Sequence, residues 1–85
     1  MLLEAIYSEV KKHYMNSILG FQLGDRVVFI NQDAKAVQRL TNAMCKFIDD
    51  GNTIISMVDL SIEEARRIPR IEILKEENKN GKLNG

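Results

Sequence analysis

Two apolar runs that do not alternate with polar residues place the strongest constraint on the fold of this chain. They are Val27–Ile30 and the apolar part of Thr53–Val58. A strand with one face in water alternates apolar and polar side chains, whereas a strand covered on both faces does not. We therefore predict two interior strands, each packed against other elements on both faces.

A helical pattern lies between these two strands. It extends from Ala34 to Asp50 and ends at Gly51, and either Asn31 or Asp33 is suited to accept its first amides. Strand, helix and strand in this order form a crossover unit, so we predict that the two strands are parallel with a right-handed connection. The apolar stripe of this helix consists of Val37, Leu40, Met44, Phe47 and Ile48.

The first part of the chain allows two interpretations. Apolar residues at spacings of three and four predict a helix from Leu2 to Leu19, with Gly20 as its C-terminal stop. In the alternative, the helix ends near Met15 and the segment 17–23 is extended. Residues 21–23 and 26–30 are then two strands of a hairpin, joined by the two-residue loop Gly24-Asp25.

The segment 61–73 carries strong local signals. Ser61 and Glu64 have the spacing of a capping box, which opens a short helix over 62–68. Pro69 prevents this helix from continuing. The segment 70–73 then alternates polar and apolar residues, as expected for an edge strand or a strand with one face in solvent.

Together these elements predict an α+β (or small α/β) fold in the order α-β-β-α-β-α-β. We expect a mixed sheet of three to four strands with two main helices and one short helix. A chain of 85 residues forms one domain, which we place at 1–75. Residues 76–85 are polar and contain glycine, and we predict that they form a flexible C-terminal tail.

The composition argues against several function classes. The 12 basic and 12 acidic residues balance, which disfavours a dedicated nucleic-acid binder without excluding a local patch. No apolar run is long enough to span a membrane, and the single Cys45 favours a reducing compartment, so we predict a cytoplasmic protein. Metal-ligand spacings, phosphate-binding glycine motifs and nucleophile motifs are missing from the sequence. We therefore predict neither a metal nor a cofactor, and we lean against an enzyme.

The main candidate for a binding surface is the arginine corner, formed by Arg66, Arg67 and Arg70 around the only proline. In one interpretation it is a solvated helix end, in which basic side chains complement the helix dipole and pair with Glu63 and Glu64. In the other, the guanidinium groups bind a phosphate or carboxylate of a partner.

Four other residues are weaker candidates. Tyr7 and Tyr14 lie seven positions apart on the flank of the first helix, where a tyrosine suits a packing interface. Asn31 directly follows the first interior strand, and Asp59 directly follows the second. In a parallel sheet, positions at the carboxyl ends of strands border a ligand crevice. The residue types of both favour a role in turns or helix caps instead.

The leading functional hypothesis is a small non-enzymatic protein-interaction or regulatory module that self-associates as a dimer. It rests on small size, balanced charge and missing catalytic motifs. The alternative is a nucleic-acid-binding protein that uses the arginine corner and nearby lysines. A small-ligand or enzyme site near Asn31 and Asp59 is the least favoured hypothesis.

Overall fold

The computed structural model describes residues 3–51 and 53–75, which form three helices and a five-stranded sheet. The predicted α+β class and the order of its elements are confirmed, with one strand more than expected. In chain order the elements are α1 (Leu3–Lys11), β1 (Ile18–Leu23), β2 (Arg26–Ile30), α2 (Asn31–Thr41), β3 (Lys46–Asp49), β4 (Ile54–Ser61), α3 (Ile62–Arg66) and β5 (Ile71–Lys75).

The sheet has the strand order β3-β4-β2-β1-β5. Its pairs are antiparallel except for β1 and β5, which are parallel. The segment 71–75 is therefore an edge strand, as its alternating pattern predicted. The predicted tail, residues 76–85, lies outside the described residues.

The first helix is shorter than both interpretations predicted, although the extended segment of the shorter alternative is observed as β1. α1 ends at Lys11, and a turn leads into β1, with the Tyr14 amide donating to the Lys11 carbonyl (2.9 Å). The longer helix to Leu19, with Gly20 as its stop, is therefore wrong. The hairpin that accompanied the shorter alternative is confirmed, because Leu23 pairs with Arg26 across a loop in which Gly24 has φ 65°.

The predicted helix over 34–50 is wrong in its second half. α2 begins at Asn31 and ends at Thr41, where Asn42 adopts a left-handed conformation (φ 62°) and donates its amide to the Gln38 carbonyl. Residues 46–49 then pair with β4 as strand β3. The backbone hydrogen bonds of a hairpin outweigh the helical spacing of the apolar residues here.

The predicted parallel pairing of the two interior strands is also wrong, because β2 and β4 are antiparallel neighbours. The prediction assumed that one strand follows the helix, whereas the two strands β3 and β4 follow it. β3 is antiparallel to β4, and β4 is antiparallel to β2, so β2 and β3 run in the same direction. The crossover therefore connects β2 to β3, and β4 lies between them.

Both faces of the central strands are buried, which confirms the prediction from the unalternating runs. On one face, Val27 and Phe29 belong to the apolar cluster that includes residues of α2 and α3. On the other face, Val28 and Ile30 belong to the cluster that includes Tyr7 of α1. The fold thus has three layers, with α1 on one side of the sheet and α2 and α3 on the other.

The first turn of α1 is bound to the end of β3. The carboxylate of Asp50 accepts the amides of Leu3 (3.2 Å) and Glu4 (2.9 Å). Amides at a helix N-terminus have no partner within the helix, so this side chain from 46 positions away satisfies them. No helix in the described ranges is long and apolar enough to cross a membrane.

Candidate nucleic-acid interface

The arginine corner is held by local structure on both sides. The Ser61 side chain accepts the Glu64 amide (3.1 Å), and the Glu64 carboxylate accepts the Ser61 amide (3.1 Å), which confirms the capping box. α3 ends at Arg66, and Arg67 is its C-cap. A capping interaction of this kind contributes about 1 kcal/mol, so the corner starts from a well-defined helix.

All three side chains of the arginine corner are exposed to solvent. Three ion pairs form within residues 3–51 and 53–75, and none of them includes Arg66, Arg67 or Arg70. The pairs expected with Glu63 and Glu64 are therefore not made. The guanidinium groups keep their hydrogen-bond donors available for a partner.

Glu64 limits the positive field at one end of the corner. Hydrogen bonds from Ser61 hold the pKa of the Glu64 carboxyl below its usual value, and the charges of Arg26 and Arg67 act in the same direction. This carboxylate is therefore ionised at neutral pH. Arg26 also pairs with Asp59 (Nε to Oδ2, 3.1 Å) on the neighbouring strand. Glu64 therefore offsets part of the positive charge near Arg67.

Arg70 also belongs to a second surface, a polar cleft of about 340 Å³. Arg39 of α2 lines the same cleft, and so do polar residues of the turn between α1 and β1. The tertiary structure therefore brings Arg39 close to a cluster that is 27 positions or more away in sequence. Sequence reasoning did not select Arg39, because nothing local distinguishes it from any other basic residue in a last helical turn.

A buried polar network forms the base of this cleft. Asp33 is 4% exposed and accepts hydrogen bonds from the Tyr7 hydroxyl (3.0 Å), the Lys11 ammonium (3.1 Å) and the Leu19 amide (3.2 Å). Burial, followed by the charge of Asp33, raises the pKa of the Tyr7 phenol, so it stays a neutral donor. The network joins α1, β1 and α2.

The two tyrosines proposed for a binding surface therefore differ in position. Tyr7 is 5% exposed and inside the fold, where its hydroxyl is taken by Asp33. Tyr14 is half-buried and packs at the border of the apolar cluster on the α1 side. Of this pair, only Tyr14 reaches the surface of the protomer.

Asn31 and Asp59 do not meet at one edge of the sheet. Asn31 follows the C-terminal end of β2 with φ 54°, whereas Asp59 pairs with Val28 in the middle of that strand. The crevice hypothesis needed parallel strands, whose carboxyl ends share an edge. With β2 and β4 antiparallel, these ends lie at opposite edges. In the part of the chain that the structure describes, no three His, Cys, Asp or Glu side chains converge as metal ligands would.

The chain matches the model of a known protein family. The family model described as MutS domain I matches residues 2–79, nearly the whole chain of 85 residues. No curated protein matches the chain.

Proposed function

This chain belongs to the MutS domain I family, and from that membership we propose that it is a DNA-binding module. Domain I of MutS is a DNA mismatch recognition domain and one part of a larger protein. The family match is the observation that carries the proposal. It favours the nucleic-acid hypothesis over the protein-interaction hypothesis that the balanced charge suggested.

The arginine corner is the surface that we assign to DNA contact. Guanidinium groups bind phosphate oxygens through two parallel hydrogen bonds, and Arg66 and Arg67 are exposed and form no ion pair with another described residue. The net charge of zero means that binding depends on this local patch. We therefore expect weak affinity and a shallow salt dependence. A cytoplasmic location, predicted from the single Cys45 and the short apolar runs, stays part of the proposal.

The test is a double substitution, Arg66→Gln with Arg67→Gln. We expect DNA affinity to fall by about tenfold at about 50 mM salt, and the slope of log K against log salt to become shallower by about two. Fluorescence anisotropy with a labelled duplex of about 20 base pairs measures both quantities. A duplex with a single mismatch, measured in parallel, tests whether the protein also recognises mismatched DNA.

Lys12→Gln with Lys46→Gln is the matched control. It removes the same charge from exposed positions directly after α1 and on β3, away from the corner. We expect this control to change the affinity by less than about twofold, since distant exposed charges are screened by salt. An equal loss in both double variants would show a nonspecific charge effect. No binding of the unaltered protein at low salt would refute the DNA proposal.

Self-association, the earlier leading hypothesis, has a specific observation in its favour. β3 is an edge strand, and large apolar side chains are exposed on it and beside it: Met44 (77%), Phe47 (72%) and Ile54 (63%). An exposed strand edge with apolar neighbours is suited to pair with another strand. We propose that a second copy of the chain covers this edge.

We expect the protein to be dimeric at micromolar concentration and Phe47→Glu to make it monomeric. A buried charge at the strand edge opposes association, whereas in the protomer this side chain is already in solvent. Light scattering over a concentration series measures the mass. Leu23→Glu, at an exposed apolar position on the hairpin, is the control that should stay dimeric. A monomer of unaltered protein at all accessible concentrations would contradict the proposal.

A further inference from the structure

The polar cleft beside the arginine corner has the composition of an anion site. It lies where the turn after α1, the helix α2 and the turn before β5 meet, and its volume of about 340 Å³ is within the range of small-ligand sites. Besides its apolar lining, the cleft contains these polar residues: Lys11, Asn16, Ser17, Gln32, Asp33, Arg39 and Arg70.

The charges in the cleft do not cancel. Lys11 and Asp33 form a buried ion pair (3.0 Å) at its base, and the Lys11 ammonium also donates to the Ser17 carbonyl. Asp33 already accepts three hydrogen bonds. Arg39 and Arg70 remain, both exposed and outside every ion pair of the described residues. Two guanidinium groups thus line one cleft with no carboxylate left to neutralise them.

The backbone of Arg70 supports a role for its side chain in binding. Arg70 has φ 58°, a conformation that is strained for a residue with a side chain and that glycine adopts freely. Its carbonyl accepts the Ile18 amide (2.9 Å), which anchors the turn to β1. Strain of this type collects where a side chain must be aimed at a ligand. Glycine is the residue that stability alone favours at this position.

We propose that this cleft binds one phosphate group between Arg39 and Arg70. The side-chain amides of Asn16 and Gln32 supply further donors at the rim, and the uncompensated positive charge of the two arginines suits an anionic phosphate group. The phosphate is either a phosphodiester of DNA or the phosphate of a small molecule. That the phosphate belongs to DNA rests on the proposed function. That the cleft binds phosphate does not.

The experiment is an NMR titration of the full chain with inorganic phosphate, observing the arginine Nε–H resonances. We expect saturable shifts at Arg39 and Arg70 that sodium chloride of equal ionic strength does not produce. Arg39→Gln is expected to weaken phosphate binding by about tenfold, because a charged pair of hydrogen bonds is lost. Lys46→Gln, at an exposed basic position on β3 outside the cleft, is the control and should leave phosphate binding unchanged.

Arg70→Gly separates a binding role from a structural one. We expect it to weaken phosphate binding like Arg39→Gln, while the thermal midpoint stays equal or rises because the backbone strain is relieved. Shifts that do not saturate would overturn the proposal. Binding of unchanged strength at the remaining arginine in Arg39→Gln and in Arg70→Gly would overturn it as well. A thermal midpoint that falls strongly in Arg70→Gly would show that this arginine is structural, which also overturns it.

A second titration with duplex DNA identifies the source of the phosphate. If the duplex shifts Arg39 and Arg70 in the same way, the cleft holds a backbone phosphodiester. If phosphate shifts them and the duplex does not, the cleft holds a small phosphate compound, and DNA contact stays with Arg66 and Arg67. Both results support the cleft, and only the absence of all DNA binding speaks against the proposed function.

Discussion

An Asp33→Ala protein is expected to lose about 3–5 kcal/mol of unfolding free energy, a large part of what holds a domain of this size together. The substitution leaves the Lys11 ammonium buried without its carboxylate and removes the acceptor of the Tyr7 hydroxyl and the Leu19 amide. Breaking a buried pair costs more than the pair contributes, because the remaining charge stays desolvated. Urea denaturation followed by circular dichroism measures the loss.

The control for this experiment is Asp25→Ala, an exposed carboxylate in the hairpin loop. We expect it to change the unfolding free energy by less than about 0.5 kcal/mol, as is usual for surface substitutions. Lys11→Met tests the other side of the pair and should also destabilise the fold, by leaving the Asp33 charge unpaired. A loss below about 1 kcal/mol in Asp33→Ala would show that the network does not support the fold.

A Gly20→Ala protein is expected to lose about 1–3 kcal/mol through overpacking. A methyl group at this position lies 2.6 Å from Val27 Cγ1 and 2.7 Å from Phe29 Cε2. Both neighbours are fully buried, so neither has free space into which it can move. The same denaturation measurement applies, and Gly20→Val is expected to be worse because it adds two more carbon atoms.

Gly24→Asn is the matched control for the glycine prediction. No atom lies within 4 Å of a Cβ at this position, and asparagine tolerates its left-handed backbone (φ 65°) better than other residues do. We expect a change below about 1 kcal/mol. If Gly20→Ala is as mild as this control, the close contact between β1 and β2 is not a constraint on the fold.

Three local features of the structure could be predicted from the sequence. The hairpin loop at Gly24-Asp25, the capping box of Ser61 and Glu64, and the interior strand 27–30 were all predicted and are all present. Each depends on interactions or patterns within about eight residues. The arginine corner was likewise located from the sequence, since Pro69 and the capping box define its position.

The same residue types misled where distant partners decide the outcome. Residues 46–49 are an exception, since they have helical spacing and yet pair with the nearby residues 54–57 in a hairpin. Tyr7 has the pattern of a boundary residue, yet Asp33 from 26 positions away holds it inside. Gly20 looks like a helix stop, and it lies in the middle of β1, where the side chains of β2 leave no room for a Cβ.

The sequence by itself thus determined the class of the fold, the hairpin turn at Gly24-Asp25, the capping box of α3 and the location of the arginine corner. Only the tertiary structure decided the antiparallel course of β4, the buried Asp33 network and the meeting of Arg39 with Arg70 in one cleft. The physical reason is that this hairpin turn and this capping box are satisfied by hydrogen bonds between near neighbours. Strand pairing and buried charge are satisfied by groups from distant parts of the chain, which come together only when the fold is complete.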